Sequence, residues 1–405
     1  MKKEVPVEDL QFGVFIAELD RPWTEVPFMF QGFELKEEKQ LEVLKQYCKK
    51  VFIDSEKGLD LPDRKLQTAA GGKPQSVLAS ITNKTRYEEK VSVDVELPRA
   101  RAAHGKAEIV LKDMLDSVRA GKAIDAPRVR EAVTSMTDSV VRNPDAMLLL
   151  SKMKEKGTLT LDRAVGVSIY MITFGRFLQL PREQLDLLGM LGLLQDVGKM
   201  RVPSDLLDKA DKLSEAELNT CRSHVSHSVD ILKGTPGIPP ELPGLAALHH
   251  ERYDGSGYPK RLKGPDIGLF GTIAGLVDCF DALTHPRPYG EALAPSNALS
   301  MLYNWRDTRF DGPLVEQFIQ CIGIFPVGAI IELNSGEMGI VIAQNLARRL
   351  QPRVMVVLDA QGNKKKPQLI LDLARDPKMN ADTPYRIKRT LEKGSVNIDP
   401  AEYFL

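Results

Sequence analysis

Residues 249–259 read HHERYDGSGYP and combine residue types that could build a metal site. Two adjacent histidines, His249 and His250, offer neutral imidazoles, which are good ligands for zinc, iron, manganese or nickel. Glu251 and Asp254 could add oxygen ligands or orient the imidazole N–H groups from outside the ligand set. The whole chain contains six histidines, so this local pairing favours a metal-binding site over ordinary packing.

The stretch resembles the signature of the HD-GYP family of metal-dependent phosphodiesterases, whose substrate is the bacterial dinucleotide cyclic di-GMP. Residues 257–259 read Gly-Tyr-Pro and stand at the GYP of that signature. The resemblance covers roughly residues 160–325 and is carried also by the segments 191–207 and 273–284. Where the family writes His-Asp-x-Gly-Lys, residues 195–199 read Gln-Asp-Val-Gly-Lys, so the first histidine of that motif is absent.

The resemblance implies a set of metal ligands, and five of them are present: Asp196, His224, His249, His250 and Asp278. It aligns Asp196 with a carboxylate that bridges two cations, and it groups Asp196 with the three histidines around one metal. Three other positions of the family's metal cluster are substituted in this chain: Leu159, Arg163 and Gln195.

These substitutions predict a centre with fewer cations. Hydrolysis of a phosphodiester uses two cations about 3.5–4 Å apart to generate hydroxide and to relieve charge on the phosphate. The ligands that remain suffice for one divalent transition metal, which could be Fe, Mn, Ni or Zn. The amide of Gln195 is a weak neutral donor, whereas Arg163 repels a second cation and can pair with Asp196 or with a phosphate.

Two residues of the Gln-Asp-Val-Gly-Lys motif are candidates for catalysis. The family pattern places Lys199 near the scissile phosphate, where its ammonium could neutralise charge or protonate the leaving oxygen. Asp196 is the second candidate, through its place in the metal cluster. An exposed lysine at a helix end is the alternative interpretation of Lys199.

Four residues are candidates for contact with the dinucleotide: Arg287, Asp281, Tyr258 and Gly257. The resemblance gives Arg287 a phosphate or guanine contact. It gives Tyr258 a role in shaping the site and in contacting the diguanylate-making GGDEF-domain proteins. Asp281 shares a helical face with Asp278, so it could orient a ligand or a guanine edge, or act as an ordinary salt-bridge partner.

The composition limits the class of protein. The 405 residues include 43% apolar residues, with 55 basic residues balancing 55 acidic ones. This is the composition of a globular protein, and the neutral balance gives no field that would attract a nucleic-acid polymer or an anionic membrane. Four cysteines without a CxxC motif fit reduced thiols, and the N-terminus lacks a continuous apolar signal segment. We therefore expect a cytoplasmic protein.

The patterning predicts a mainly α fold, in which an HD-superfamily helical bundle carries a small N-terminal α/β module and a small C-terminal β appendage. We place the module at 1–55, a polar linker at 56–90, the helical domain at 91–325, and the appendage with its tail at 326–405. Apolar residues recur with helical spacing from about residue 100, and alternation begins after Phe325. The first module resembles a domain of unknown function often fused ahead of HD-GYP domains.

Three functions stay open at this point. The favoured interpretation is a cyclic di-GMP signalling protein with a degenerate metal site, which binds nucleotide or partners with weak or no hydrolysis. The alternative is an active metal-dependent phosphodiesterase giving the linear dinucleotide or GMP, and the third is a structural interaction scaffold. The lost ligands favour the first, because removing one stabilising group costs about 10²-fold or more in rate. A homodimer is compatible with all three.

Overall fold

A computed structural model of the chain describes most of its residues in two compact units, Met1–Lys73 and Pro74–Leu405. The residues described are 2–20, 26, 32–54, 76–153, 159–209, 211–285, 292–345, 348–380, 382–391, 395–396, 398 and 400–404.

The first unit is a four-stranded antiparallel sheet with one helix. Its elements are β1 (Lys2–Pro6), β2 (Phe15–Leu19), β3 (Phe33–Glu34), α1 (Glu38–Tyr47) and β4 (Lys50–Asp54), and the strand order is β1-β4-β2-β3. Alternate residues of β4 face the core, as a half-buried strand requires, whereas β2 buries Ile16 and Leu19 on either side of a shift in its pairing with β4. The predicted α/β module is therefore confirmed, and it includes a first strand that the sequence interpretation had not identified.

The second unit begins with the later part of the predicted linker. After a short 3-10 turn at Val77–Ser80, this segment lies along the helical domain. Tyr87 donates its hydroxyl to the carbonyl of Leu180, and Thr85 N–H donates to the carbonyl of Gln179. Hydrogen bonds and buried Val77 attach residues 76–90 to the bundle, which their polar composition alone does not indicate.

The bundle confirms the mainly α prediction. Its helices are α2 (Val93–Arg119), α3 (Ala126–Arg142), α4 (Pro144–Met153), α5 (Leu159–Phe177), α6 (Arg182–Leu194), α7 (Ser204–Leu207), α8 (Glu215–Arg222), α9 (His224–Lys233), α10 (Leu242–Ala246), α11 (Gly268–Thr284), α12 (Pro295–Asn304) and α13 (Gly312–Ile322). A 3-10 turn at Val197–Arg201 follows α6. Helices α5, α6 and α11 are buried on most sides and form the centre of the domain.

Close helix packing at this centre depends on small residues. A Cβ at Gly192 would lie 2.5 Å from Ser168 Cα, so only glycine lets α6 approach α5 this closely. Ser168 in turn donates its hydroxyl to the carbonyl of Gly189 at 2.8 Å. These two contacts hold the second half of α6 against α5. The candidate metal ligand Asp196 comes two residues after α6 ends.

One apolar helical stretch, Gly264–Thr284, has the length and hydropathy of a membrane span, with a mean hydropathy of 1.5. Within the part of the chain that the structure describes, it is the single such stretch, and 72% of its most apolar window is buried inside the molecule. Helices at the centre of a folded domain have the same composition. Burial therefore accounts for its apolar character.

A five-stranded antiparallel sheet follows the bundle. Its strands are β5 (Ile330–Leu333), β6 (Met338–Ala343), β7 (Arg353–Leu358), β8 (Lys364–Asp372) and β9 (Ile387–Thr390), in the order β8-β7-β6-β5-β9, and a short α14 (Ala401–Phe404) follows. The β appendage is thus confirmed, and the sheet extends into the residues predicted as a tail. Asp145 of α4 accepts a hydrogen bond at 2.9 Å from Gln344 N–H, which ties the sheet to the bundle.

Candidate metal centre

The turn after α6 places Asp196 beside His224. Gly198 N–H donates to Ser228 Oγ at 2.8 Å, so the turn is hydrogen-bonded directly to α9. A Cβ at Gly198 would lie 2.1 Å from the carbonyl oxygen of His224, so the two backbones are in closest contact at this glycine. Asp196, two residues earlier, and His224, the first residue of α9, are thereby held side by side.

Backbone carbonyls orient two of the imidazoles. His224 Nδ1 lies 2.7 Å from the carbonyl oxygen of Cys221, and His249 Nδ1 lies 2.7 Å from that of Ala246. A carbonyl oxygen only accepts, so both rings carry their proton on Nδ1. In the neutral tautomer that this contact selects, Nε2 carries no proton and is the atom available to bind a metal.

The ligand atoms of Asp196, His224, His249 and His250 all lie within 4.8 Å of one another. His224 Nε2 is 3.4 Å from His249 Nε2, 3.2 Å from His250 Nε2 and 3.3 Å from Asp196 Oδ1. Asp196 Oδ1 is buried and has no hydrogen-bond partner among the residues that the structure describes. Lone pairs that face one another and an unsatisfied carboxylate oxygen fit a divalent cation, so this donor set suits the metal that the sequence predicts.

The charges around the cluster favour the ionised form of Asp196 and the neutral form of His250, and these are the forms that bind a metal. Burial opposes ionisation of Asp196, but the ammonium of Lys199 holds the pKa of this carboxyl well below its usual range. Lys199 Nζ donates to Asp196 Oδ2 at 2.7 Å. Burial and the neighbouring His249 lower the pKa of His250 well below its ordinary value, so its imidazole is neutral at pH 7. His250 therefore presents a neutral nitrogen beside the ionised carboxylate of Asp196.

A second group of charges surrounds Arg163 on α5. Its Nε donates to Asp281 Oδ2 at 2.8 Å and its Nη2 donates to Asp278 Oδ1 at 3.3 Å. Both carboxylates are buried one turn apart on α11, and His285 Nδ1 lies 3.2 Å from the other oxygen of Asp281. The predicted ligand Asp278 thus lies outside the compact group of four ligands, and its charge is neutralised by a guanidinium.

Of the other two substituted positions, the structure describes the side chain of Gln195 but not that of Leu159. Gln195 is 1% exposed, and within the described part of the chain neither its amide oxygen nor its amide nitrogen has a hydrogen-bond partner. Leu159 is the first residue of α5, but its side chain lies outside the described part of the molecule. Arg287, predicted as a substrate contact, also falls outside the described residues.

The loop at residues 251–262, called the GYP loop here, covers one candidate ligand, His250. The ring of Tyr258 stacks on His250, with centroids 4.7 Å apart and planes at 24°. Gly257 is needed because a Cβ there would lie 2.4 Å from Arg252 N. The structure corrects the role of the two loop acids: Glu251 accepts from Lys260 N–H and Leu262 N–H, and Asp254 Oδ1 accepts from Ser256 N–H. Both acids stabilise the loop, because their oxygens satisfy backbone N–H groups there.

Sequence reasoning missed one residue beside this loop. Arg222, the last residue of α8, places its guanidinium carbon 5.2 Å from the centroid of the Tyr258 ring. Its position two residues before His224 was the available signal, but the direction of its side chain depends on how α8 meets α9.

The bundle and its histidine–aspartate cluster define the class of protein. Residues 145–314 match the HD domain, so this is an HD-domain protein. Residues 2–129 match a domain of unknown function, DUF3391. With its GYP loop and the relatives described next, the chain belongs to the HD-GYP family. HD-domain phosphodiesterases depend on metals.

Two relatives and one solved structure illustrate the similarity. A cyclic di-GMP phosphodiesterase of Pseudomonas aeruginosa is 33% identical over 377 residues, which cover 93% of this chain and 90% of that protein. A cyclic di-GMP phosphodiesterase response regulator of Xanthomonas campestris pv. campestris is 39% identical over 144 residues, or 35% of this chain and 38% of that protein. An HDG"Y"P protein of Bdellovibrio bacteriovorus is 13% identical, with a TM-score of 0.46 and coverage of 78% of this chain and 98% of its own.

Proposed function

We propose that the chain is a cyclic di-GMP signalling protein that binds the dinucleotide at a centre holding one divalent cation and hydrolyses it weakly or not at all. The observation that carries this proposal is the pairing of Arg163 with Asp278 and Asp281. A second cation needs anionic ligands, and here a permanent guanidinium is already paired with two of the carboxylates near the site and offsets one of their two negative charges. Gln195, uncharged and buried, adds no anionic ligand.

The residues of the centre have separate tasks in this proposal. Three imidazoles and the carboxylate of Asp196 would hold the cation, while Lys199 donates to Oδ2 of the same aspartate and so lies beside the cluster. That ammonium can neutralise a phosphate oxygen or hold a proton for the leaving oxygen. Tyr258 covers His250 and limits the access of water from that side. When bound, the cation supplies Lewis-acid polarisation of a phosphate oxygen.

The same arrangement explains why we expect hydrolysis to be weak. Phosphodiester hydrolysis with two bridged cations stabilises both the attacking and the leaving oxygen. Here Gln195 stands where the family has a histidine, and Asp278 is already paired with Arg163, so fewer groups are available to hold a second cation. The loss of one stabilising group costs about 10²- to 10³-fold in rate.

The direct test combines metal content with product analysis. The purified full-length protein, loaded with Mn²⁺, should contain about one metal per chain by plasma mass spectrometry and should bind cyclic di-GMP in calorimetry. Little linear dinucleotide or GMP should form. Two metals per chain, or rapid conversion that Asp196→Ala abolishes, would show that the proposal is wrong.

A restoring variant tests the cause of the defect. Gln195→His combined with Arg163→His returns imidazoles to two positions where the resemblance expects ligands. We expect a second equivalent of metal and a clear gain in hydrolysis. The same pair of changes in an Asp196→Ala background is the control, and it should gain neither.

An active cyclic di-GMP phosphodiesterase is the second candidate. It is favoured by the 33% identity with the Pseudomonas aeruginosa phosphodiesterase over 90% of that protein's length. The product analysis above separates the two candidates, because only the active enzyme converts cyclic di-GMP rapidly.

The GYP loop also supports a proposal about partners. Asp254, Lys260 and Arg261 are exposed on this loop, while Glu251 fixes its backbone. We propose that this loop binds GGDEF-domain proteins, as the family resemblance implies. Lys260→Glu with Arg261→Glu should weaken binding of a purified GGDEF-domain protein in interferometry, and unchanged binding would refute the contact.

A further inference from the structure

The junction between α8 and α9 places a cation beside the metal centre. Cys221 gives its carbonyl oxygen to His224 Nδ1, and Ser223 ends α8 and begins α9. Between them, Arg222 directs its guanidinium to the ring of Tyr258 at 5.2 Å. The turn that orients a ligand histidine therefore also positions an arginine.

Arg222 differs from Arg163 and Arg252, because its N–H groups have no hydrogen-bond partner among the described residues. It is exposed, and among the residues that the structure describes no carboxylate or carbonyl pairs with it. Arg252, by contrast, donates from Nη1 to the carbonyls of His249 and Glu251. A guanidinium that rests on an aromatic ring keeps its N–H edge available for an anion.

The aromatic contacts link Arg222 to the cluster. The ring of Tyr258 contacts Arg222 and also stacks on His250, one of the four ligands. A cyclic dinucleotide carries two phosphates in a single ring. A molecule with one phosphate at the metal therefore presents its other phosphate a short distance away, toward the rim of the site.

We infer that Arg222 binds the second phosphate of a cyclic dinucleotide whose first phosphate lies at the metal centre. The inference rests on the proposed function, since it needs that class of ligand. A planar guanidinium matches two phosphate oxygens at once and forms short charge-assisted hydrogen bonds. Tyr258 holds the arginine in place, so less side-chain freedom is lost when the phosphate binds.

Calorimetry on the full-length, Mn²⁺-loaded protein tests this assignment. Arg222→Ala should weaken cyclic di-GMP binding about ten- to a hundredfold, the range expected for a hydrogen-bonded charge, and Arg222→Lys should recover part of the loss. The metal content of Arg222→Ala should equal that of the unaltered protein. Arg119→Ala, which removes an exposed arginine paired with Asp116 at the end of α2, is the matched control and should bind normally.

Three results would overturn the assignment, and they have different meanings. Equal binding by Arg222→Ala and the unaltered protein would reject Arg222 while leaving the proposed function intact. A loss confined to cyclic di-GMP, with 3′3′-cGAMP unaffected, would mean that Arg222 contacts a guanine edge, because both ligands carry the same phosphates. Failure of the unaltered protein to bind cyclic di-GMP would reject the proposed function together with the assignment.

Discussion

The two oxygens of Asp196 serve different partners: Oδ2 accepts from Lys199 Nζ at 2.7 Å, while Oδ1 lies 3.3 Å from His224 Nε2. A metal ion held at Oδ1 would therefore share this carboxylate with a lysine ammonium. Because the two positive charges would repel each other, we predict that Lys199 weakens binding of the cation.

Removal of that ammonium should strengthen metal binding. We expect Lys199→Met to lower the dissociation constant for Mn²⁺ about tenfold, which corresponds to about 1.4 kcal/mol, while any hydrolysis falls. Competition with a chelating dye measures the constant. Lys209, which donates to Glu217 at the same 2.7 Å, provides the control variant Lys209→Met, which should leave the constant unchanged. Unaltered affinity in Lys199→Met would contradict the shared-carboxylate description.

Replacement of Arg163 should destabilise the bundle. Arg163→Leu leaves Asp278 and Asp281 buried without their counter-charge, and we expect the free energy of unfolding to fall by about 3 kcal/mol. Denaturant titration measures the loss, and a further Asp281→Asn change should recover part of it. Arg182→Leu is the control, because its carboxylate partners are more exposed and such pairs contribute about 1 kcal/mol or less. A similar loss in both variants would count against a special role for Arg163.

Asp145 should make stability depend on pH. Burial raises the pKa of this carboxyl to about 7, so the folded protein keeps a proton that the unfolded chain has lost near pH 4. Between these values the unfolded state binds fewer protons, and stability falls as pH rises from about 4 to about 7. The fall is at most about 4 kcal/mol. Asp145→Asn should flatten this dependence in denaturant titrations, whereas Asp113→Asn on the exposed side of α2 should not; parallel curves for all three proteins would contradict it.

Gly198 should tolerate no side chain. In Gly198→Ala the new Cβ would meet backbone atoms of α9, 2.1 Å from His224 O and 2.3 Å from Ser228 N, so the turn must move away. We expect a lower melting temperature and a loss of bound metal. Gly105→Ala, in α2 where the new Cβ would meet no described residue within 4 Å apart from the backbone of its own helix, should instead raise stability by about 0.5–1 kcal/mol. Retention of full metal content in Gly198→Ala would be inconsistent with this packing.

Much of the architecture follows from local pattern. Apolar spacing predicts the long helices, and alternation after Phe325 predicts the first strands of the second sheet, because both periods reflect one buried face. The pattern does not predict that polar residues 76–90 lie along the bundle. Their attachment consists of hydrogen bonds to distant residues such as Leu180 and Gln179, which have no periodic signal.

In the site, too, local pattern predicts some features, and contacts between distant residues determine the rest. The positions of the three clustered histidines follow from the motif, but the partners of charged side chains do not. The sequence allows Arg163 to pair with Asp196 or a phosphate, whereas the structure pairs it with Asp278 and Asp281. Which carboxylate an arginine meets depends on how α5 crosses α11, and this crossing is set by packing across the whole domain.

The carbonyl groups that orient His224 and His249 belong to the main chain, at Cys221 and Ala246. Every amino acid placed at those two positions would provide the same acceptor. The direction of both imidazoles thus does not depend on which side chains stand at these two positions. Substitutions at Cys221 or Ala246 therefore keep the acceptors that orient the two candidate ligands.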